Sequence, residues 1–482
     1  MYNTWDYEFW SALVQIGILL VAVLVGNTIR RKIPFIRKSL LPSAVIGGLI
    51  ILILKFIPPV NEFINAKFME GLAYHCLALG FIAIALKTNV NKSDGSGIVV
   101  KTGAVVVGTY LIQGIVGIII TILLSLAIIE LIPAAGLLLP LGFGQGPGQA
   151  LNFGSVYENS GLVGGKSFGL TIATVGFLVA CIVGVVYLNI LKRKKRIREV
   201  DASEYTETSE QAIAPNDIPL TESVDKFTIQ IAIVFGVYMA TFGVMYGLTA
   251  IIDTGALGKF GTNTVKPLIW GFNFLFGTLF ALLAKKIIAL LRKKNIMKRE
   301  YVNNFMMNRI SGFVFDVMIL AGVSAIQFEA IKSLWLPLIL LCVFGTIITF
   351  VYLDFICKRL YPKYRYEAMV SLFGMLTGTA STGMILLREI DPKFETPAAN
   401  NLIMQSVPAM LFGFPMLLLA GYANTDMKAS IITLCACIGL FALMNFVALF
   451  KWKPRKRKGG GENSPPETEA DTSVPPQDEN GQ

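Results

Sequence analysis

Residues 141–154 read LGFGQGPGQALNFG. Gly144, Gly146 and Gly148 alternate with Gln145 and Pro147. Glycine and proline are the two poorest residues for a helix interior, so this stretch does not continue an ordinary helix. Yet the sequence on both sides consists of apolar runs of membrane-span length. Broken backbone and several amides at that depth need a reason, and finding it decides the fold.

The chain of 482 residues is 54% hydrophobic and only 15% charged. Soluble domains carry about 25% charged residues. The charges cluster between apolar runs that recur along almost the whole length, and a run of about 20 apolar residues is what a helix needs to cross a bilayer. An all-α polytopic membrane protein follows; a β-barrel shows short alternating segments instead. Eleven spans are expected near 11–29, 43–57, 71–87, 101–129, 169–191, 227–251, 267–291, 310–329, 334–357, 400–422 and 429–450. The first has no basic segment before it and reads as a retained span rather than a cleaved signal. Two more segments, 134–160 and 366–388, are apolar but interrupted by Gly, Pro and small polar residues.

The formal charge of +11 has a topological explanation rather than a nucleic-acid one, because Lys and Arg border the spans. If both interrupted segments enter and leave on one side, one set of loops carries 35 basic residues and the opposite set 6, with Lys55 inside the end of a span. The richer side is cytoplasmic by the positive-inside rule. The N-terminus is then outside and the C-terminus inside. The same assignment yields two halves of opposite topology, each with four spans, a re-entrant segment and a fifth span. The first repeat covers 1–191 and the inverted second repeat 227–425. A polar, acidic cytoplasmic linker at 192–226 joins them. An extra span at 426–450 and a disordered cytoplasmic tail at 451–482 complete the chain. Inverted repeats of this kind mark secondary transporters. Gly144-x-x-x-Gly148-Gln149-Ala150 in the first interrupted segment is echoed by Gly374-x-x-x-Gly378-Thr379-Ala380 in the second.

Non-helical backbone inside a membrane is tolerated only where protein or a wet cavity surrounds it. Two such tips meeting from opposite sides bring helix N-termini, which attract anions, together with carbonyls and hydroxyls able to coordinate Na⁺. The substrate-binding candidates are therefore Gly144, Gln145, Gly146, Gly148, Gln149 and Asn152 from the first segment. The second contributes Thr377, Gly378, Thr379, Ser381 and Thr382. Arg388, just beyond it, is placed either to clamp a carboxylate or to anchor the cytoplasmic face. Small residues also let membrane helices pack, which is the competing reading of either segment taken alone. Asp316, inside the eighth span, joins Gln149 and Thr379 as a candidate Na⁺ ligand, since intramembrane carboxylates are costly; its other reading is a partner for Arg309. His75, the only histidine, reads as an interfacial residue ahead of a proton relay. Glu158 and Glu367 also read as interfacial. Cys435 and Cys437 read as packing residues. No H-E-x-x-H, no Walker A loop and no pair of intramembrane carboxylates for acid–base work is present, so an enzyme and an ATP-driven pump are not supported. A channel fits poorly with an inverted repeat.

At these residues the chain resembles the bacterial sodium/glutamate symporters, over about residues 10–425. The segments LGFGQGPGQALNFG and GMLTGTASTG match that family's two re-entrant loops in position and glycine content. RYEAMVSLFGMLTGTAST with the downstream NNLIMQSVPAMLFGFPMLLL resembles its second loop and fifth span. The chain departs from the family where Phe143 separates Gly142 from Gly144 and where Ser381 replaces a frequent proline. The resemblance implies Na⁺-coupled symport of glutamate or a related anionic amino acid by alternating access, in a bacterial inner membrane, with no cofactor beyond Na⁺ as coupling ion. It also implies a homodimer in which a transport domain moves against a fixed scaffold. Partners are then the small anionic substrate, Na⁺ and the bilayer, with no nucleic acid. A di- or hydroxycarboxylate cargo, or H⁺ coupling, is the alternative within the same fold.

Overall fold

The computed structural model describes residues 6–87, 96–127, 131–197, 226–255, 258, 261–297, 301–392 and 395–450. Most of the expected linker (198–225) and the whole tail (451–482) lie outside these residues. Among the described residues, all regular structure is helical. The principal helices are α1 (Tyr7–Lys32), α2 (Ser43–Leu54), α3 (Ala66–Leu86), α4 (Ser96–Ser125), α5 (Leu138–Phe143), α6 (Pro147–Asn159), α7 (Gly165–Arg193) and α8 (Lys226–Asp253). They continue with α9 (Asn273–Lys293), α10 (Asn304–Ala325), α11 (Trp335–Leu360), α12 (Arg365–Thr377), α13 (Ala380–Arg388), α14 (Ala398–Met404), α15 (Ser406–Tyr422) and α16 (Met427–Leu449).

Nine of these helices are long and apolar enough to cross a membrane: α1, α3, α4, α7, α8, α9, α10, α11 and α16. Two expected spans differ. The run at 43–57 forms only the 12 residues of α2, about 18 Å at 1.5 Å per residue, which is short of a bilayer core. It stops at Lys55, whose buried Nζ donates to the carbonyls of Ser324 (3.1 Å) and Ile326 (2.8 Å) at the C-terminal end of α10. A lysine inside an apolar run is thus a cap for another helix, placed at the carbonyl end where cations are favoured. The run at 400–422 is not straight. It is a pair, α14 and α15, bent by 50°. Basic residues close the last turns of α1 (Arg30, Arg31, Lys32), α7 (Lys192, Arg193), α9 (Arg292, Lys293) and α11 (Lys358, Arg359).

Close backbone approach at small residues assembles the bundle, as is usual for membrane helices. A Cβ on Gly26 of α1 would lie 2.9 Å from the Gly47 nitrogen of α2, and one on Gly80 of α3 would lie 2.6 Å from the Phe315 ring of α10. Helices α1, α2, α3, α8, α9 and α10 pack mainly with one another. Helix α4 packs with α11, α15 and α16, while α7 packs with α5, α6 and α12.

Two buried glutamines perform matching tasks. Gln15 of α1 donates to the Phe63 carbonyl (2.8 Å) and accepts from the Asn65 amide (3.3 Å). Gln230 of α8 donates to the Tyr301 carbonyl (2.6 Å) and accepts from the Asn303 amide (3.0 Å). Asn65 and Asn303 are the side-chain N-caps of α3 and α10. Each glutamine therefore ties one long helix to the start of another, α1 to α3 and α8 to α10.

Candidate functional site

The first interrupted segment is a helix–turn–helix. Helix α5 ends at Phe143; the Gly144 N–H still reaches the Pro140 carbonyl at 3.0 Å and the Gly146 N–H the Gly142 carbonyl at 3.2 Å. Gly146 then takes φ +83° and ψ −177°, a combination open essentially to glycine alone. Pro147 follows as the first residue of α6, where its fixed φ suits a helix start and its missing N–H costs nothing. The second segment breaks between α12 and α13 at Gly378 and Thr379. Thr379 is the N-cap of α13, its hydroxyl accepting from the Thr382 N–H at 3.4 Å.

Helix α7 passes both breaks. A Cβ on its Gly176 would lie 2.4 Å from the Thr377 carbonyl oxygen and 3.0 Å from the Phe143 ring. Helix α4 binds both breaks through side chains one turn apart. Tyr110 Oη donates to the Gly144 carbonyl at 3.1 Å. Gln113 Nε2 donates to the Leu376 carbonyl at 3.1 Å and to Thr349 Oγ1 at 2.8 Å.

Between the breaks lies a cavity of about 230 Å³. Seven of the sequence-selected residues line it: Gly144, Gln145 and Gln149 from the first segment, Gly378, Thr379 and Ser381 from the second, and Asp316 from α10. The N-terminal ends of α6 and α13 border the same space, and such ends favour anions. Gln149 is 1% exposed, and neither atom of its amide has a hydrogen-bond partner among the described residues. An unpaired buried polar group costs about 1–3 kcal/mol, a cost that a partner from outside the chain would relieve. Asp316, Gln149 and Thr379 supply a carboxylate, an amide oxygen and a hydroxyl around one space, a donor chemistry that fits a hard cation.

The other selected residues are elsewhere. Gly146 supplies the turn, and no atom of the described residues lies within 4 Å of where its Cβ would be. Gly148 lies behind the wall, where a Cβ would lie 2.7 Å from Leu77 Cδ1 and 3.0 Å from Met318 Sδ. Thr377 turns back to the Phe373 carbonyl (2.7 Å), and buried Thr382 stays with Thr379. Asn152, one turn beyond Gln149, donates to the Gly271 carbonyl at 3.0 Å and lines a separate cavity of about 430 Å³ with Lys67, Glu70 and Lys166. Arg388 is exposed and lines neither cavity. His75 shares a 2.7 Å hydrogen bond with Tyr238 Oη and also lies away from the central cavity. Glu158, at the end of α6, pairs with Lys166 at 3.7 Å, and Lys166 pairs with Glu70 at 3.2 Å.

Tyr110, Met375, Gln405 and Ser406 also line the central cavity and were not among the candidates. Tyr110 and Gln113 are polar side chains in the middle of the fourth apolar run. Gln405 and Ser406 sit three and two residues before Pro408. Each was a visible polar interruption of a span.

No curated protein and no solved structure matches the chain. The sequence profile of the sodium/glutamate symporters matches residues 10–395, a range that takes in both breaks and Asp316. The chain therefore belongs to the sodium/glutamate symporter family, a family of sodium-coupled membrane transporters.

Proposed function

We propose that the protein carries out Na⁺-coupled symport of glutamate or a related anionic amino acid, by alternating access at a site between two re-entrant loops near the bilayer midplane. The observation that carries this reading is the single cavity shared by the two breaks, with the unpartnered Gln149 amide in its wall. Helix N-termini and the Gln149 amide offer hydrogen bonds to carboxylates. Asp316, Thr379 and the Gln149 oxygen offer ligands to Na⁺. Gly146 and Gly378 allow the backbone to turn there.

The matching Gln15 and Gln230 arrangements support two repeats related by inversion, each preparing its third span in the same way. On this reading the protein is a homodimer in a bacterial inner membrane, with N-terminus outside, residues 192–226 and the C-terminus in the cytoplasm, and one domain moving against a scaffold. Single cysteines placed in 199–225 are expected to react with impermeant thiol reagents only from the cytoplasmic side. Labelling from outside would overturn the inverted topology.

Uptake into proteoliposomes tests the cargo. Labelled glutamate is expected to accumulate when Na⁺ is high outside and to stay at background in Na⁺-free buffer. Accumulation that ignores Na⁺ and collapses with a proton gradient would replace Na⁺ by H⁺. Uptake of citrate or another hydroxycarboxylate, with none of glutamate or aspartate, would keep the fold and change the cargo.

A further inference from the structure

The bend between α14 and α15 is a third break in the helical backbone, and it meets the same cavity as the other two. Gln405 stands at it, lines the cavity, and is only 4% exposed. Its Nε2 donates to the Leu402 carbonyl at 3.2 Å and touches Met375 Sδ at 3.4 Å. The carbonyl settles the orientation of the amide, because an amide oxygen turned toward a carbonyl oxygen would be repelled. The free atom is therefore Oε1, an acceptor, and it has no partner among the described residues.

Gln149 and Gln405 thus differ in what they leave open. Gln149 has both a donor and an acceptor unpaired; Gln405 has an acceptor only. Among the described residues, the cavity wall contains no lysine, arginine or histidine, and its one formal charge is the carboxylate of Asp316. Such a wall disfavours a bare dianion and favours a cargo that brings its own positive group. Resting on the transport reading above, we propose that Gln405 is a specificity-determining residue whose Oε1 accepts a hydrogen bond from the ammonium group of an amino-acid cargo. A hard cation collects several oxygen ligands. Gln405 is packed against a thioether, surroundings that suit an ammonium N–H, which needs one good acceptor.

The test compares each amino acid with the acid that has hydrogen in place of the ammonium group. The pairs are glutamate with glutarate, aspartate with succinate, and alanine with propionate. Full-length protein, wild type and Gln405→Leu, is reconstituted, and each acid competes against labelled glutamate. Binding of each acid to the detergent-solubilised protein, read by thermal stabilisation, supplies the same ratio if Gln405→Leu does not transport. In wild type the amino acid is expected to win clearly. In Gln405→Leu the preference is expected to fall by about tenfold or more, since the variant removes the ammonium's partner and no longer buries an unpaired oxygen beneath the other acid. The Na⁺ concentration for half-maximal uptake, or for half-maximal stabilisation, is expected to stay within about twofold, a smaller change than the loss of a ligand produces. An unchanged preference, or a shift in Na⁺ dependence instead, overturns the proposal. If glutamate is not the cargo, the pair that does bind still reads out Gln405. Wild-type protein that binds the amine-free acids as tightly as the amino acids sinks it outright.

Discussion

Valine in place of Gly176 is expected to reduce uptake to about one hundredth of wild type or less while the protein still inserts and purifies. The added carbons have no space to enter. A Cβ there falls 2.4 Å from the Thr377 carbonyl and 3.0 Å from Phe143. The first obstacle is backbone at the second break, which cannot rotate aside as a side chain does. Overpacking of this kind costs about 1–3 kcal/mol and occasionally more. Its strain lands on the geometry that shapes the cavity, and each 1.4 kcal/mol is about a factor of ten. Helix α7 keeps its 29 residues, so membrane insertion is not what the substitution removes. Gly236→Val in α8, where none of the described residues lies within 4 Å of the added Cβ, is the control and is expected to stay within about twofold, as open surface positions do. Near-normal uptake by Gly176→Val would show that the two breaks do not need their observed contact with α7.

Gln149→Met is expected to raise the thermal midpoint of the ligand-free protein and to shift stabilisation by substrate to ten- to a hundredfold higher substrate concentrations, on the scale of about 1–3 kcal/mol. The two halves of this expectation share one cause. The Gln149 amide is buried with donor and acceptor both unpaired, a burden of about 1–3 kcal/mol that an unbranched apolar side chain of similar length removes. The same substitution deletes the groups we assign to cargo and cation, weakening binding by about ten- to a hundredfold on that scale. A lowered midpoint would mean that the amide is satisfied within the chain, and the cavity would lose its principal recognition element.

The helical membrane class and the positions of nine spans were legible because hydrophobic length is a local property. So was the position of both breaks, since Gly and Pro act through their own backbone. What a break does with each side chain was less so. Among Gly144, Gly146 and Gly148 only Gly146 takes a positive φ, and nothing in their spacing says which. Pro147 starts a helix inside 141–154, and glycine and proline content alone does not give the register that puts Gln149 on the central cavity and Asn152 on another. The shortened α2 was signalled by Lys55 and by Pro58–Pro59 just after it. The bend at Gln405 was signalled by Pro408, which removes a backbone donor and crowds the preceding turn. The clearest sequence trace of the proposed repeat is Glu62-Phe63-Ile64-Asn65 against Glu300-Tyr301-Val302-Asn303. Its meaning depends on Gln15 and Gln230, which lie far from it in the chain.

Tyr110 and Gln113 sit three residues apart on one uninterrupted helix, and each hydrogen-bonds one of the two breaks. A helical turn has no soft joint, so the distance between those two anchor points is set by covalent geometry. Sliding one break past the other must sever an anchor, at about 0.5–1.5 kcal/mol apiece, or carry α4 along. The breaks are therefore geared to each other like two teeth on a single shaft: with either one crosslinked to α4, the other moves only by severing its own hydrogen bond to that helix.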